Sequence, residues 1–318
     1  MKKKNLLGFG TAAIGRPQYI NIKQNASSDF SLPAFKDHAF QMLDQAYDLN
    51  ILYFDTAPGY GIAEDLLIEW LETKDDARIE IATKWGYTYV ANFDPNAKIH
   101  EVKEHSLSKL NEQWEKSQAL LPYLTTYQIH SATLETGVLE NEAILYQLLE
   151  LKEEFGLIMG VSVSGANQNE ILKKAFYAEI GSVQLFDTFQ VTYNVFDQSL
   201  SQMSELLASD DKRIIIKEAL ANGRIFPNDR YPNYTKTYEL LRKLAAKYQV
   251  GIDAIALRFC MDSMDVFKVL SGASEATHLT QNNLANTITL LESEIEQLRS
   301  FAIPPDVYWS ERKQLEWQ

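Results

Sequence analysis

The 318-residue sequence contains one cysteine, Cys260, so neither an internal disulfide nor a cysteine metal cluster can hold the chain together. That thiol falls in the run DAIALRFC, which reads as a buried helical position and fits a reduced, cytoplasmic protein. Basic residues are scarce: 30 Lys and Arg against 43 Asp and Glu give a net charge of -13, which repels nucleic-acid phosphates and anionic lipid headgroups. Long apolar runs are missing as well, since no stretch approaches the roughly 18 residues of a membrane span. Lys2, Lys3 and Lys4 followed by LLGFGTAAIG have the outline of a secretory signal. The apolar part is short, however, and is broken by three glycines and Arg16, and the first strand of a barrel gives the same string. His38, His100 and His105 lack ligand spacing and read as surface residues, so no metal site is expected. No Pro, Gly or Ser-rich linker divides the chain, and no obligatory protein partner is evident.

Hydrophobic side chains make up 46% of the sequence, enough for a large core and too many for a disordered chain. From residue 36 onward, helix-period and strand-like segments alternate. Phe40, Leu43, Ala46, Tyr47 and Leu49 form one apolar stripe, and ILYFD follows as a short strand. GIAEDLLIEWL, KEHSLSKLNEQW and NEAILYQLLELKEEF read as helices between the strands IEIATK, LTTYQIH and LIMGVSV. Asn167 with Glu170 suggests a capped helix start before ILKKAF. SVQLFDTFQ, RIIIK and VFKVL are further strands, with helices near 235 to 262 and 277 to 302. With GFGTAAIG included, eight strand candidates alternate with helices, which predicts a single-domain (β/α)8 TIM barrel over residues 1–318. A doubly wound open sheet is the rival, weakened by the lack of a Gly-x-Gly-x-x-Gly turn after an early strand. The tail from about 303, with Tyr308, Trp309 and Trp317, lacks periodicity and reads as a candidate flap over the site.

In a barrel of this kind, functional side chains gather where the strands end at their C-terminal face. The strand candidates end at Asp55, Lys84, His130, Ser162, Gln190 and Lys217, each a polar residue closing an apolar run. Burying one such group is costly, so six in register imply a shared polar pocket. Asp55 and Lys84 come from consecutive strands and suit a buried ion pair, and Tyr60 in FDTAPGYG can reach back over it. An ammonium beside a phenol favours phenolate and is expected to lower the tyrosine pKa, so that Tyr60 exchanges a proton with a carbonyl oxygen. His130 supplies a second donor. None of these groups can deliver two electrons, so a hydride cofactor is implied. Trp85, Tyr87, Tyr89, Phe93, Tyr193 and Phe196 follow strand ends and are candidates for walling a carbonyl pocket, while Trp70 and Trp114 read as core. Asp75 with Asp76 and Asp210 with Asp211 read as solvated turns.

The sequence resembles the aldo-keto reductase family from near residue 6 to near residue 290. LGFGTAAIG is similar to the family's opening strand, FDTAPGYG with Glu64 to its Asp and Tyr segment, IATKWG to its Lys segment and YQIH to its His segment, in family order. The resemblance implies NAD(P)H-dependent interconversion of aldehydes or ketones, sugars included, with alcohols. It gives Tyr60 the general acid or base role, lets Lys84 tune it and Asp55 hold Lys84, and has His130 orient the carbonyl. It also assigns Ser162 and Gln190 to the nicotinamide carboxamide, although the Asn that usually follows the Ser is Val163 here. Lys217 replaces the aromatic residue that often stacks under the nicotinamide. Leu220, Asn222, Gly223 and Arg224 match a loop over the pyrophosphate, and Ser271, Gly272, Ala273, Ser274, Thr277, Gln281 and Asn282 match the adenosine loop. NADP is the cofactor the family suggests. NAD is its rival, because no Lys or Arg occurs from Val269 to Leu298 and only His278 lies near the expected basic position. Two other functions stay open at this stage: a nicotinamide-sensing module on the same fold, and a barrel hydrolase or lyase using Lys84 as a Schiff-base amine.

Overall fold

The computed structural model describes residues 5–17, 31–94, 96–208 and 212–315. Lys2 to Lys4, Asp210, Asp211 and Trp317 lie outside the described residues. Eight parallel strands close into a barrel in simple sequence order: β1 Leu7–Gly10, β2 Tyr53–Asp55, β3 Glu80–Trp85, β4 Leu124–Ile129, β5 Ile158–Ser162, β6 Thr188–Thr192, β7 Arg213–Lys217 and β8 Lys268–Ser271. The surrounding layer includes helices Leu32–Asp48, Ala63–Leu71, Leu107–Ser117, Glu142–Phe155, Gln168–Phe176, Thr235–Tyr248, Ile252–Ser263 and Ala276–Asn283. No helix of the described residues is long and apolar enough to cross a membrane.

The two-residue period of a strand explains both layers of the core. In β2, Tyr53 clusters with Ala82, Ile215 and Leu270 inside the barrel, while Phe54 turns outward onto Trp70 with ring centroids 5.1 Å apart. Asp55 then faces inward again, at the mouth. The helices are delimited by local chemistry: Asn141 accepts from the Ile144 N–H to start Glu142–Phe155, and Gly156 at φ 65° ends it. Cys260 is fully buried in its helix, as the sequence implied, and burial raises its thiol pKa.

Three expectations need correction, and the form of the tail is now visible. SVQLFDTFQ is not one strand: Val183–Gln184 pairs antiparallel with Glu179–Ile180 outside the barrel, and only Thr188–Thr192 enters it. Asn167 precedes Gln168–Phe176 without a side-chain cap, because its backbone at φ -98°, ψ 18° lacks the extended geometry that aims a capping oxygen at the next turn. His100 is buried rather than exposed, and its carbonyl accepts from the Val90 N–H at 2.9 Å next to the paired segments Tyr87–Tyr89 and Glu101–Lys103. The tail after residue 303 forms the helix Pro305–Lys313, whose Tyr308 and Trp309 are buried. The Trp309 indole donates to Asp197 Oδ2 at 3.0 Å, and Asn194 donates to the Tyr308 hydroxyl at 3.0 Å.

Candidate active site

Strand β2 delivers Asp55 and β3 delivers Lys84 to the barrel mouth, and both are buried. Lys84 Nζ donates to Asp55 Oδ2 at 2.6 Å, to the Thr56 carbonyl at 3.0 Å and to the Tyr60 hydroxyl at 3.3 Å. An ammonium has three hydrogens, and these three acceptors take all of them. Since the Tyr60 oxygen accepts from Lys84, its own hydrogen is free to point into the mouth. The other Asp55 oxygen accepts from Gln190 Nε2 at 2.6 Å, which ties β2 to β6 across the barrel.

Tyr60 is held by an unusually close approach of two loops. A Cβ on Gly15 would lie 2.0 Å from the Tyr60 carbonyl oxygen, and Gly61, at φ +67°, would place one 2.2 Å from the Gly15 oxygen. Only glycine is compatible with both contacts. Arg16 then lies 5.6 Å from the Tyr60 ring centroid, donating to the Gly59 carbonyl at 2.8 Å and to Glu101 at 2.7 Å. His130 stands just past β4, edge-on to Tyr60 with centroids 5.5 Å apart and 4.6 Å from the Tyr87 ring.

Burial pushes the Tyr60 phenol well above its ordinary pKa, and the Asp55 carboxylate adds to the rise while Arg16 opposes it. The sequence argument had the sign reversed, because burial of the phenol, with the Asp55 charge beside it, outweighs the help that Lys84 was expected to give the phenolate. Tyr60 is therefore a protonated donor in the free protein. Burial also drives His130 well below its ordinary pKa, helped by Lys84, Lys217 and Arg16, so it is a neutral imidazole at neutral pH.

Ser162 and Gln190 are buried Cα partners on adjacent strands. The Ser162 hydroxyl accepts from the Ser131 N–H at 2.7 Å and keeps its own hydrogen to donate, while Gln190, with its nitrogen on Asp55, keeps its oxygen to accept. One donor beside one acceptor is what a carboxamide requires, so this pair fits the amide of a nicotinamide. Lys217, half-buried at the end of β7, donates to Ser164 Oγ at 2.5 Å. In the following loop Glu218, Ala221, Asn222 and Gly223 all have positive φ, between 49° and 84°, a conformation that the three non-glycine residues rarely adopt. Leu220 is half-buried there.

Arg224 departs from its expected role. Its guanidinium is fully buried, 4.1 Å from the Tyr308 ring centroid and bonded to Glu311 and the Tyr308 carbonyl at 3.1 Å each, so it anchors the tail helix rather than presenting a cation to the mouth. In the last loop Gly272, Ser274, Thr277 and Gln281 are exposed, Ala273 and Ser271 are buried, and Asn282 turns inward. The Asn282 amide accepts from Ser271 Oγ at 2.8 Å and donates to Asp253 at 2.6 Å, a brace for the loop. His38 donates to the Ser274 carbonyl at 2.7 Å and fixes the same loop from outside.

Of the aromatic wall candidates, Tyr87 lines the mouth, whereas Trp85, Tyr193 and Phe196 are fully buried packing residues. Several neighbours escaped the sequence reading. Arg16 and Glu101 are too far apart in sequence to suggest a pair. His105, expected on the surface, bonds the His130 carbonyl at 2.9 Å beside Trp85, and burial lowers its pKa to about 4. Glu64 was noted only as part of a motif, yet it is buried, accepting from Thr83 at 2.5 Å and Ser117 at 2.9 Å.

Burial raises the Glu64 pKa from 4.5 to about 7, so between those values the folded protein keeps a proton that the unfolded chain has released. Stability therefore falls with rising pH across that window, by an amount on the order of 3 kcal/mol for this group. Urea titrations from pH 4.5 to 7 are expected to show a shallower pH slope in Glu64→Gln than in the wild type. Equal slopes would count against a protonated Glu64.

The model of the aldo/keto reductase family matches residues 6–303. The chain belongs to this family. Among its relatives, the uncharacterized oxidoreductase YqkF of Bacillus subtilis (strain 168) is 26% identical over 317 residues, covering 92% of this chain and 96% of the relative. The NADH-specific methylglyoxal reductase of Escherichia coli (strain K12) is 24% identical, covering 81% and 85%. The solved structure of the glycerol dehydrogenase AKR11B4 from Gluconobacter oxydans superposes with a TM-score of 0.72 at 21% identity, over 93% of this chain and 90% of that one. Family members are oxidoreductases that generally use nicotinamide cofactors, and this aldo/keto reductase carries the barrel on which that chemistry is built.

Proposed function

We propose that the protein is a cytoplasmic, nicotinamide-dependent reductase that interconverts small aldehydes or ketones, sugars among them, with the corresponding alcohols. The observation that carries this reading is the Tyr60 hydroxyl, 3.3 Å from Lys84 Nζ and beside the neutral His130. A bound nicotinamide, held by Ser162 and Gln190 at its carboxamide, would supply the hydride pair. The chain does the rest. Tyr60 gives its proton to the substrate oxygen, Lys84 keeps that phenol in place and compensates the charge left on it, and Asp55 fixes Lys84. His130 orients the carbonyl, with Tyr87 bounding the space beside it.

For the cofactor's adenosine end, the chemistry favours NADH over the NADP form suggested by the resemblance. A 2'-phosphate needs a strong cation, and from Val269 to Leu298 the chain offers only His278, with Glu275 close by in sequence and Arg224 turned away to the tail. The name of the relative from Escherichia coli supports both NADH and a small oxygenated carbonyl substrate. Fluorescence titration of the purified protein with NADH and NADPH, followed by turnover on aldehydes, ketones and sugars, tests the reading. NADH is expected to bind at least tenfold more tightly, roughly the worth of one charge-assisted hydrogen bond. Tighter NADPH binding would reverse the cofactor assignment, and binding of neither would remove the proposed activity.

A further inference from the structure

We propose that Lys217 makes the site discriminate between the two redox states of a nicotinamide, favouring the uncharged reduced ring over the cationic oxidised ring. The inference rests on the proposed function and concerns which form of the cofactor that function takes up.

Lys217 closes β7, with Thr192 of β6 as its Cα partner, and its Nζ donates to Ser164 beyond the end of β5. The side chain thus runs from the seventh strand across the mouth end of the sixth to the loop after the fifth. Ser162 and Gln190, the carboxamide pair, belong to those same fifth and sixth strands. A ring attached to that carboxamide has the Lys217 ammonium or its stem as a neighbour. Lys84 and Arg16, the cations beside Tyr60, are paired directly with carboxylates, Lys84 with Asp55 at 2.6 Å and Arg16 with Glu101 at 2.7 Å, while Lys103, on the Tyr87 side, donates to the Ser131 carbonyl at 3.0 Å. Lys217 bonds a hydroxyl instead, and the carboxylate next to it in sequence, Glu218, is held by Arg312 at 3.1 Å. Beside the carboxamide pair, Lys217 is thus a cation with no carboxylate bonded to it directly.

Oxidised nicotinamide carries a positive charge on its ring and the reduced form carries none. A nearby ammonium repels the first and leaves the second almost unaffected, and the repulsion is strong in a partly buried site where water screens poorly. Preferential uptake of the reduced form lets a reductase draw hydride donor from a pool in which the oxidised form predominates, and it speeds departure of the oxidised product. The bias should also respond to pH. Burial lowers the Lys217 pKa to about 8, with Arg312 and Lys84 acting in the same direction and Glu218 and Asp55 opposing. The ammonium is present below that value, so discrimination is greatest there and fades as the pH rises through it.

Dissociation constants of NADH and NAD+ measured by calorimetry for the wild type, Lys217→Met and Lys217→Arg test the proposal. The methionine variant, which keeps the stem without the charge, is expected to bind NAD+ about tenfold more tightly with NADH changed by less than about twofold. The arginine variant should keep the wild-type ratio. In the wild type the preference for NADH should shrink between about pH 6.5 and about pH 9.5, and in the methionine variant it should stay flat. Binding of both forms with a ratio unchanged by Lys217→Met overturns this proposal and leaves the reductase reading standing. Failure of the wild type to bind either form overturns that reading and this proposal with it.

Discussion

Replacing Tyr60 with phenylalanine is expected to cut carbonyl turnover by about 10²- to 10⁴-fold while leaving the fold and nicotinamide binding intact. The ring contacts with Arg16 and His130 do not involve the hydroxyl, so they persist in the variant. Lys84 loses one acceptor at 3.3 Å and keeps Asp55 and the Thr56 carbonyl, so the ion pair survives. What disappears is the hydroxyl beside His130 whose oxygen is fixed by Lys84 and whose hydrogen is free for substrate. His130 cannot replace it, because a buried imidazole with a strongly lowered pKa holds no extra proton near neutrality. Steady-state turnover together with cofactor titration gives the answer. Full activity in Tyr60→Phe would refute the assignment of the proton donor. Since burial raises the Tyr60 pKa above its ordinary value of about 10, the reduction rate should not decline through loss of that proton at any pH below about 10.

The largest effect on stability is expected at Lys84. Lys84→Met leaves the buried Asp55 carboxylate with Gln190 as its remaining side-chain partner and takes a donor from the Thr56 carbonyl. Breaking a buried pair in this way costs about 3–5 kcal/mol, far more than loss of a surface pair such as Lys109 with Glu112. The double change Asp55→Asn with Lys84→Met should recover part of the lost stability and none of the activity. Urea midpoints check this. A single variant as stable as the wild type at neutral pH would show that the pair does not hold the mouth together.

Much of the site was legible because it depends on local periodicity. ILYFD, IEIATK and TTYQIH each follow an apolar run to a polar end, and the alternation of strands and helices fixes the order in which those ends surround the barrel. Asp55, Lys84 and Tyr60 consequently meet as their spacing implied. The sequence was weaker where an outcome depends on residues far apart in the chain. Arg224 reads as a free cation until Glu311 and Tyr308 fold onto it. His105 reads as a surface residue until it is enclosed beside Trp85.

The sequence by itself determined an eight-stranded parallel barrel, the order of its strands and the set of side chains at their ends, because hydrophobic period and residue type are properties of short segments. Only the tertiary structure decided the protonation of that set. Whether Tyr60 is acidified or kept as a phenol, whether His130 is charged, and which cations at the mouth go without a directly bonded carboxylate all depend on burial and on partners from other strands. Those quantities do not exist until the barrel has closed.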